Sequence, residues 1–146
     1  VIRELIERSI RVKAAIVSED LRESGRREFL NYGHTLAHAI ERVERYQWRH
    51  GAAVSVGMVF AAELGLATGY LDEATVDRTR RLCQSVGLPT SYRGDRWDQL
   101  LETMRRDKKA RGNLLRFVVL DGLANPRIYE VPDESILFAT FQEIVE

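Results

Sequence analysis

Residues 51–67 read GAAVSVGMVFAAELGLA, the most apolar run of the chain, with Glu63 as its only charge. Its reading decides the fold. At 17 residues with three glycines it is marginal for a bilayer span, which needs about 20 apolar residues, and no second segment accompanies it. A helix apolar on most of its sides belongs in the middle of a bundle. His50 directly precedes it, so an imidazole is expected at one rigid end of the core.

Upstream lies the run Arg27-Glu28-Phe29-Leu30-Asn31-Tyr32-Gly33-His34-Thr35-Leu36-Ala37-His38, followed by a charged tail to Arg49. Together with His50 it gathers all three histidines of the protein within 17 residues. Histidine suits both transition-metal binding and proton transfer near neutral pH. At about 100° per residue, Leu36, Ile40 and Val43 form an apolar helical stripe, and Arg27, Asn31, His34 and His38 form a polar one nearly opposite. Such a polar stripe is usually a solvated face, but this one holds metal-binding, hydrogen-bonding and anion-clamping groups rather than Glu, Lys and Gln. Gly33 is expected in mid-helix, where glycine costs about 1 kcal/mol relative to alanine, which suggests a close approach to the backbone. Glu41 to Arg49 reads as a solvated helix end and loop.

Further out, residues 2–18 place Ile2, Leu5, Ile6, Ile10 and Val17 at helical spacing, with Lys13 on the same stripe. That lysine either snorkels at a core edge or points into a cleft between domains. Ser24-Gly25 marks a turn. Downstream, Asp72 caps a helix that stops at Gly87-Leu88-Pro89, and Asp95 to Arg106 gives another with Trp97, Leu100, Leu101 and Met104 inward. Arg105 to Gly112 then holds five positive charges in eight residues, either a solvated helix end or an anion clamp. Residues 114–120 and 127–131 read as a hairpin around Asp121-Gly122 and Asn125-Pro126. A last helix starts at Pro132-Asp133 and turns Ile136, Leu137, Phe141, Ile144 and Val145 inward. The expected architecture is mainly α: a helical bundle over residues 1–146 with one small β-hairpin near the C-terminus.

Composition narrows the class. A chain of 146 residues, 45% hydrophobic and 30% charged, suits one soluble domain with a real core. Its 22 basic and 22 acidic residues balance, so no overall field favours nucleic acid or a membrane surface. The single cysteine, Cys83, allows no internal disulfide, fits a reducing cytoplasm, and is expected in the core. Val1 opens inside a helical pattern without a cap and is read as a cut end of a longer protein.

The chemistry follows from the spacing. His34 and His38, four apart, can meet on one metal, but Thr35 stands where the zinc-protease motif requires glutamate. A catalytic zinc takes three protein ligands and leaves a place for water or substrate. If His34 and His50 are two of them, the third is His38 or an acid from elsewhere. There is no Gly-x-Gly-x-x-Gly after a strand, no P-loop and no nucleophile elbow.

Lys13, Arg27-x-x-x-Asn31-Tyr32-Gly33-His34-x-x-x-His38-Ala39-x-Glu41, His50-Gly51, Val56-Gly57-Met58, Asp107-Lys108-Lys109 and Leu115-Arg116-Phe117 resemble the C-terminal domain of 3-dehydroquinate synthases, in order and over nearly the whole chain. The family's enzymes bind NAD in an N-terminal domain and convert 3-deoxy-D-arabino-heptulosonate 7-phosphate to 3-dehydroquinate plus phosphate in the shikimate pathway. The resemblance implies His34 and His50 as ligands of Zn2+ or Co2+. It implies Lys13, Arg27, Asn31 and His38 along the substrate, with His38 in proton transfer, and Lys108 or Lys109 on substrate or its phosphate. It also implies a third, glutamate ligand and the NAD domain outside this chain, a homodimeric parent, and an inactive isolated chain. Ala37 stands where the family commonly has Gly, and Ala52 where many members have an acid. The other readings are a secondary-metabolism sugar phosphate cyclase, a metal-dependent polyol dehydrogenase and a non-catalytic helical module.

Overall fold

The computed structural model describes residues 1–19, 25–109 and 114–146, without the side chains of residues 108 and 109. Ser24 of the expected turn, and residues 110–112 of the basic cluster, lie outside the described residues. The contacts group the chain into two units, Val1–Asn31 and Tyr32–Glu146.

The first unit holds α1 (Ile2–Glu19) and a 3-10 segment, Gly25–Asn31. Pairs four apart on the solvated face, Arg3 with Glu7 at 3.0 Å and Arg8 with Glu4 at 2.6 Å, support the helix. No residue of α1 is buried, and Ile2, Leu5, Ile6 and Ile10 are more than half exposed. The spacing is helical as expected, and Lys13 on its stripe is exposed.

The second unit is a helical bundle around α3 (His50–Ala67). Val56, Val59, Phe60 and Leu64 are fully buried, and the helix packs on α2 (His34–Val43), α4 (Glu73–Ser85), α6 (Ser135–Gln142) and strand β1. Among the described residues this is the one helix long and apolar enough to cross a membrane, yet most of it lies inside the fold. Burial of each such large side chain contributes about 1.5–3 kcal/mol. Its one charge is answered: Glu63 accepts from Arg80 at 2.9 Å.

Leu36 and Ile40 of α2 point into this core, and α5 (Trp97–Lys109) adds Trp97, Leu100 and Met104. Trp97 stacks on Phe141 of α6 at 4.8 Å between ring centroids. The hairpin pairs β1 (Arg116–Leu120) with β2 (Pro126–Glu130), antiparallel, with Phe117 opposite Tyr129. Proline stands at the first position of β2, where a strand tolerates it. Asp72 caps α4 by accepting from the Thr75 amide at 2.8 Å, and Cys83 is buried and free.

One expectation fails. The helix expected through Arg27, Asn31, His34 and His38 is not continuous. The 3-10 segment ends at Asn31, Tyr32-Gly33 form a turn, and α2 begins only at His34. Gly33 caps α2 in the left-handed region at φ 81°, which ordinary helix cannot contain. The four-residue stripe therefore reduces to His34 and His38 on one face of α2. The close approach inferred from Gly33 is real, but its partner is α3: a Cβ on Gly57 would lie 1.9 Å from the Gly33 carbonyl oxygen.

Candidate metal and substrate site

The turn at Gly33 has a consequence for chemistry. Glycine at both 33 and 57 lets the start of α2 sit directly against the middle of α3, and Tyr32 closes the turn by donating its hydroxyl to the Met58 carbonyl at 3.5 Å. Burial holds the Tyr32 phenol well above its ordinary pKa, so it remains a donor. This packing fixes His34 at the first position of α2, and His50 opens α3.

The three imidazoles gather in the second unit. Ring centroids of His34 and His50 are 5.4 Å apart, as are those of His34 and His38. His34 Nδ1 lies 3.1 Å from the Tyr32 carbonyl oxygen. His50 Nδ1 lies 2.6 Å from Glu41 Oε1. A carbonyl or carboxylate only accepts, so each Nδ1 carries a proton, and in the neutral imidazole each Nε2 then keeps its lone pair.

That is the arrangement in which metal-binding histidines are held, with the outer nitrogen committed to a carbonyl or carboxylate. Zinc bonded to two imidazole nitrogens at about 2.0–2.1 Å would separate their ring centroids by roughly 5 Å. The donor set of His34 and His50 therefore fits a borderline-soft divalent ion, though it falls short of the three protein ligands a catalytic site needs. Among the described residues, no group of three or more His, Cys, Asp or Glu side chains is arranged to hold a metal.

His38 differs from its neighbours. Among the described residues no hydrogen bond ties its ring, and it is exposed at the rim. Its pKa is lowered from the ordinary histidine value, first by partial burial and next by His34, with Glu41 and Asp107 opposing. A free, neutral imidazole one turn from His34 is equipped to accept or relay a proton.

Arg42 of α2 donates to Asp107 of α5 at 2.7 Å, which ties the carboxyl end of α5 beside the histidine helix. The backbone of Lys108 and Lys109 continues that end; their side chains lie outside the described residues. Lys13, Arg27 and Asn31 belong to the first unit. Ala37 is fully buried against the core, and Ala52 is half-buried.

Glu41 is the residue whose role spacing did not disclose. Its neighbours in the sequence mark the start of a solvated helix end, yet its side chain is only 14% exposed and meets His50 across the loop. Its signal was the seven-residue offset from His34, two helical turns that put both on one face.

Residues 1–110 match the family model described as 3-dehydroquinate synthase C-terminal. The chain is 69% identical over 144 residues to 3-dehydroquinate synthase of Paenarthrobacter aurescens, covering 99% of this chain and 40% of that protein. With the Streptomyces avermitilis 3-dehydroquinate synthase it shares 67% identity over 143 residues, covering 98% and 39%. The chain thus spans about 40% of the length of the curated relatives it matches. Among solved structures it is similar to 2-deoxy-scyllo-inosose synthase complexed with carbaglucose-6-phosphate, NAD+ and Co2+, at 25% identity, TM-score 0.80, covering 96% of this chain and 40% of that one. It also shares its fold with ValA, the 2-epi-5-epi-valiolone synthase of Streptomyces hygroscopicus with NAD+ and Zn2+ bound, at 18% identity, TM-score 0.86, covering 97% and 39%.

Proposed function

From the premise that the chain belongs to the 3-dehydroquinate synthase C-terminal family, we propose that it supplies the metal- and substrate-binding half of a 3-dehydroquinate synthase. In this reading the parent enzyme is a lyase that converts 3-deoxy-D-arabino-heptulosonate 7-phosphate to 3-dehydroquinate and phosphate. The observation that carries it is the pair His34 and His50, each with Nδ1 committed and Nε2 free, at a spacing one divalent ion can bridge.

His34 and His50 hold Zn2+ or Co2+, and a third ligand comes from outside this chain. The metal, when bound, polarises a ring hydroxyl and the ketone derived from it. NAD is held by another part of the parent. His38, neutral and unbonded, takes and returns the proton at the reacting ring. Lys13, Arg27 and Lys108 (or Lys109) hold the carboxylate and phosphate of the phosphorylated sugar acid, as guanidinium and ammonium groups do, and the Asn31 amide hydrogen-bonds along the substrate. In the same reading the parent is cytoplasmic and homodimeric and engages neither membrane nor nucleic acid; the single thiol fits a reducing compartment, and most of the apolar helix lies inside the fold.

The test is a chimera in which this chain replaces the matching segment of the Paenarthrobacter aurescens enzyme. Phosphate release from the heptulosonate substrate, dependent on NAD and zinc, is expected. Release only from sedoheptulose 7-phosphate would make the chain part of a different cyclase. Accumulation of NADH with glycerol-like substrates would make it part of a polyol dehydrogenase.

A further inference from the structure

A cavity of about 500 Å³ lies at the carboxyl end of α2, and no histidine lines it. From His34 to Glu44 is about 15 Å of helix rise, and Glu41, which holds His50, lies one turn before Glu44, so the cavity neighbours the histidine cluster without including it. Its walls are Val43, Glu44, Arg45 and Gln47 from α2 and the following loop, with Arg93 and Arg96 from the segment before α5 and Gln99 from its first turn. Three guanidiniums and two amides face one carboxylate.

The charges do not cancel within the wall. Glu44 is already engaged: its Oε1 accepts from the Tyr92 hydroxyl at 2.5 Å and pairs with Arg93 at 3.1 Å. Asp95 lies 3.6 Å from Arg93 as well. Among the described residues neither Arg45 nor Arg96 has a carboxylate within ion-pair distance. Arg96 reaches only the Gln99 amide oxygen, at 3.2 Å, and its Nε is enclosed and bonded to nothing. A buried N–H without a partner is uncommon and calls for an acceptor.

The backbone and the helix poles complete the description. Arg45 and Tyr46 both have left-handed backbones, at φ 54° and 60°, a conformation non-glycine residues adopt at a cost. Arg45 is the one of this pair that lines the cavity. The negative pole of α2 and the positive pole of α5 both end here and roughly offset one another. The two uncommitted arginines therefore set the sign.

We propose that this cavity is a binding site for a small dianion, held by Arg45 and Arg96, with the Gln47 and Gln99 side chains beside them. Guanidinium forks match phosphoryl and carboxylate oxygens equally well, so a phosphoryl group and a dicarboxylate share the required chemistry.

The experiment is calorimetric titration of the chain at low ionic strength with inorganic phosphate, with malonate and with chloride. One saturable site for phosphate, for malonate or for both, with none for chloride, is expected; the stronger ligand identifies the group the site takes. R45A removes an exposed, unpaired side chain and leaves the melting curve unchanged while weakening binding about tenfold or more, as loss of a charged hydrogen-bonding partner does. R96A weakens it likewise, and R81A, an exposed cation on α4, leaves it intact. Absence of saturable binding overturns the proposal. So does equal weakening by R81A, which reports charge alone, or loss in H38A with R45A unaffected, which puts the anion at the histidines.

Discussion

His50 Nδ1 and Glu41 Oε1 stand 2.6 Å apart, across the loop that joins α2 to α3. The contact joins a ring at the head of the core helix to a carboxylate two turns beyond His34. It holds the His50 ring, whose centroid lies 5.4 Å from that of His34, so the geometry of the proposed ligand pair depends on a residue that touches no metal.

Glu41 is accordingly a positioning residue. E41A is expected to weaken zinc affinity about 10- to 100-fold, and E41Q, which keeps an acceptor oxygen, by less. Competition with a chromophoric chelator measures both. Equal affinities in E41A and the parent chain would remove Glu41 from the site.

The contact between α2 and α3 sets a second expectation. In G57A the new methyl meets the Gly33 carbonyl oxygen at 1.9 Å, a backbone atom that cannot turn away. Overpacking of this kind costs about 1–3 kcal/mol or more, so a large fall in thermal midpoint is expected, together with weakened zinc binding. G51A is the control. It lies in the same helix with nothing within 4 Å, and alanine there stabilises by about 0.5–1 kcal/mol.

These two glycines show what was legible from the chain and what was not. The apolar run at 51–67 announced a central helix, and the bundle, the Asp72 cap and the hairpin followed from periodicity and turn residues. Gly33 announced a close approach. It did not announce that the approach would break the helix, because spacing of four, three and four is blind to φ. The same blindness joined Arg27 and Asn31 to the histidine face. Glu41 was hidden because its neighbours, Arg42, Glu44 and Arg45, are those of an ordinary solvated helix end. The apolar stripe of α1 was legible as a pattern, but a pattern does not say whether anything covers it.

His38 should titrate below the ordinary histidine range. Partial burial is the main cause, and the adjacent His34 adds to it. With its folded pKa below the unfolded one, the unfolded chain binds more protons between the two values. The group's contribution to stability is therefore present above the unfolded pKa and is lost as pH falls through the folded one. Imidazole proton shifts followed by NMR check this. H34A, which removes a lowering influence, should move the His38 midpoint upward. A midpoint above the ordinary histidine value in the parent chain would contradict the assignment of His38 as a neutral base.

The most direct test of the central claim is zinc titration of the chain and of H34A, H38A and H50A. Weak binding by the parent chain, lost in H34A and in H50A and retained in H38A, is the expected result. Tight binding that disappears in H38A as well would mean a closed site of three imidazoles. Binding that survives H34A or H50A would mean that these residues are not the ligands. Either would contradict the division of the three histidines into two ligands and one proton carrier.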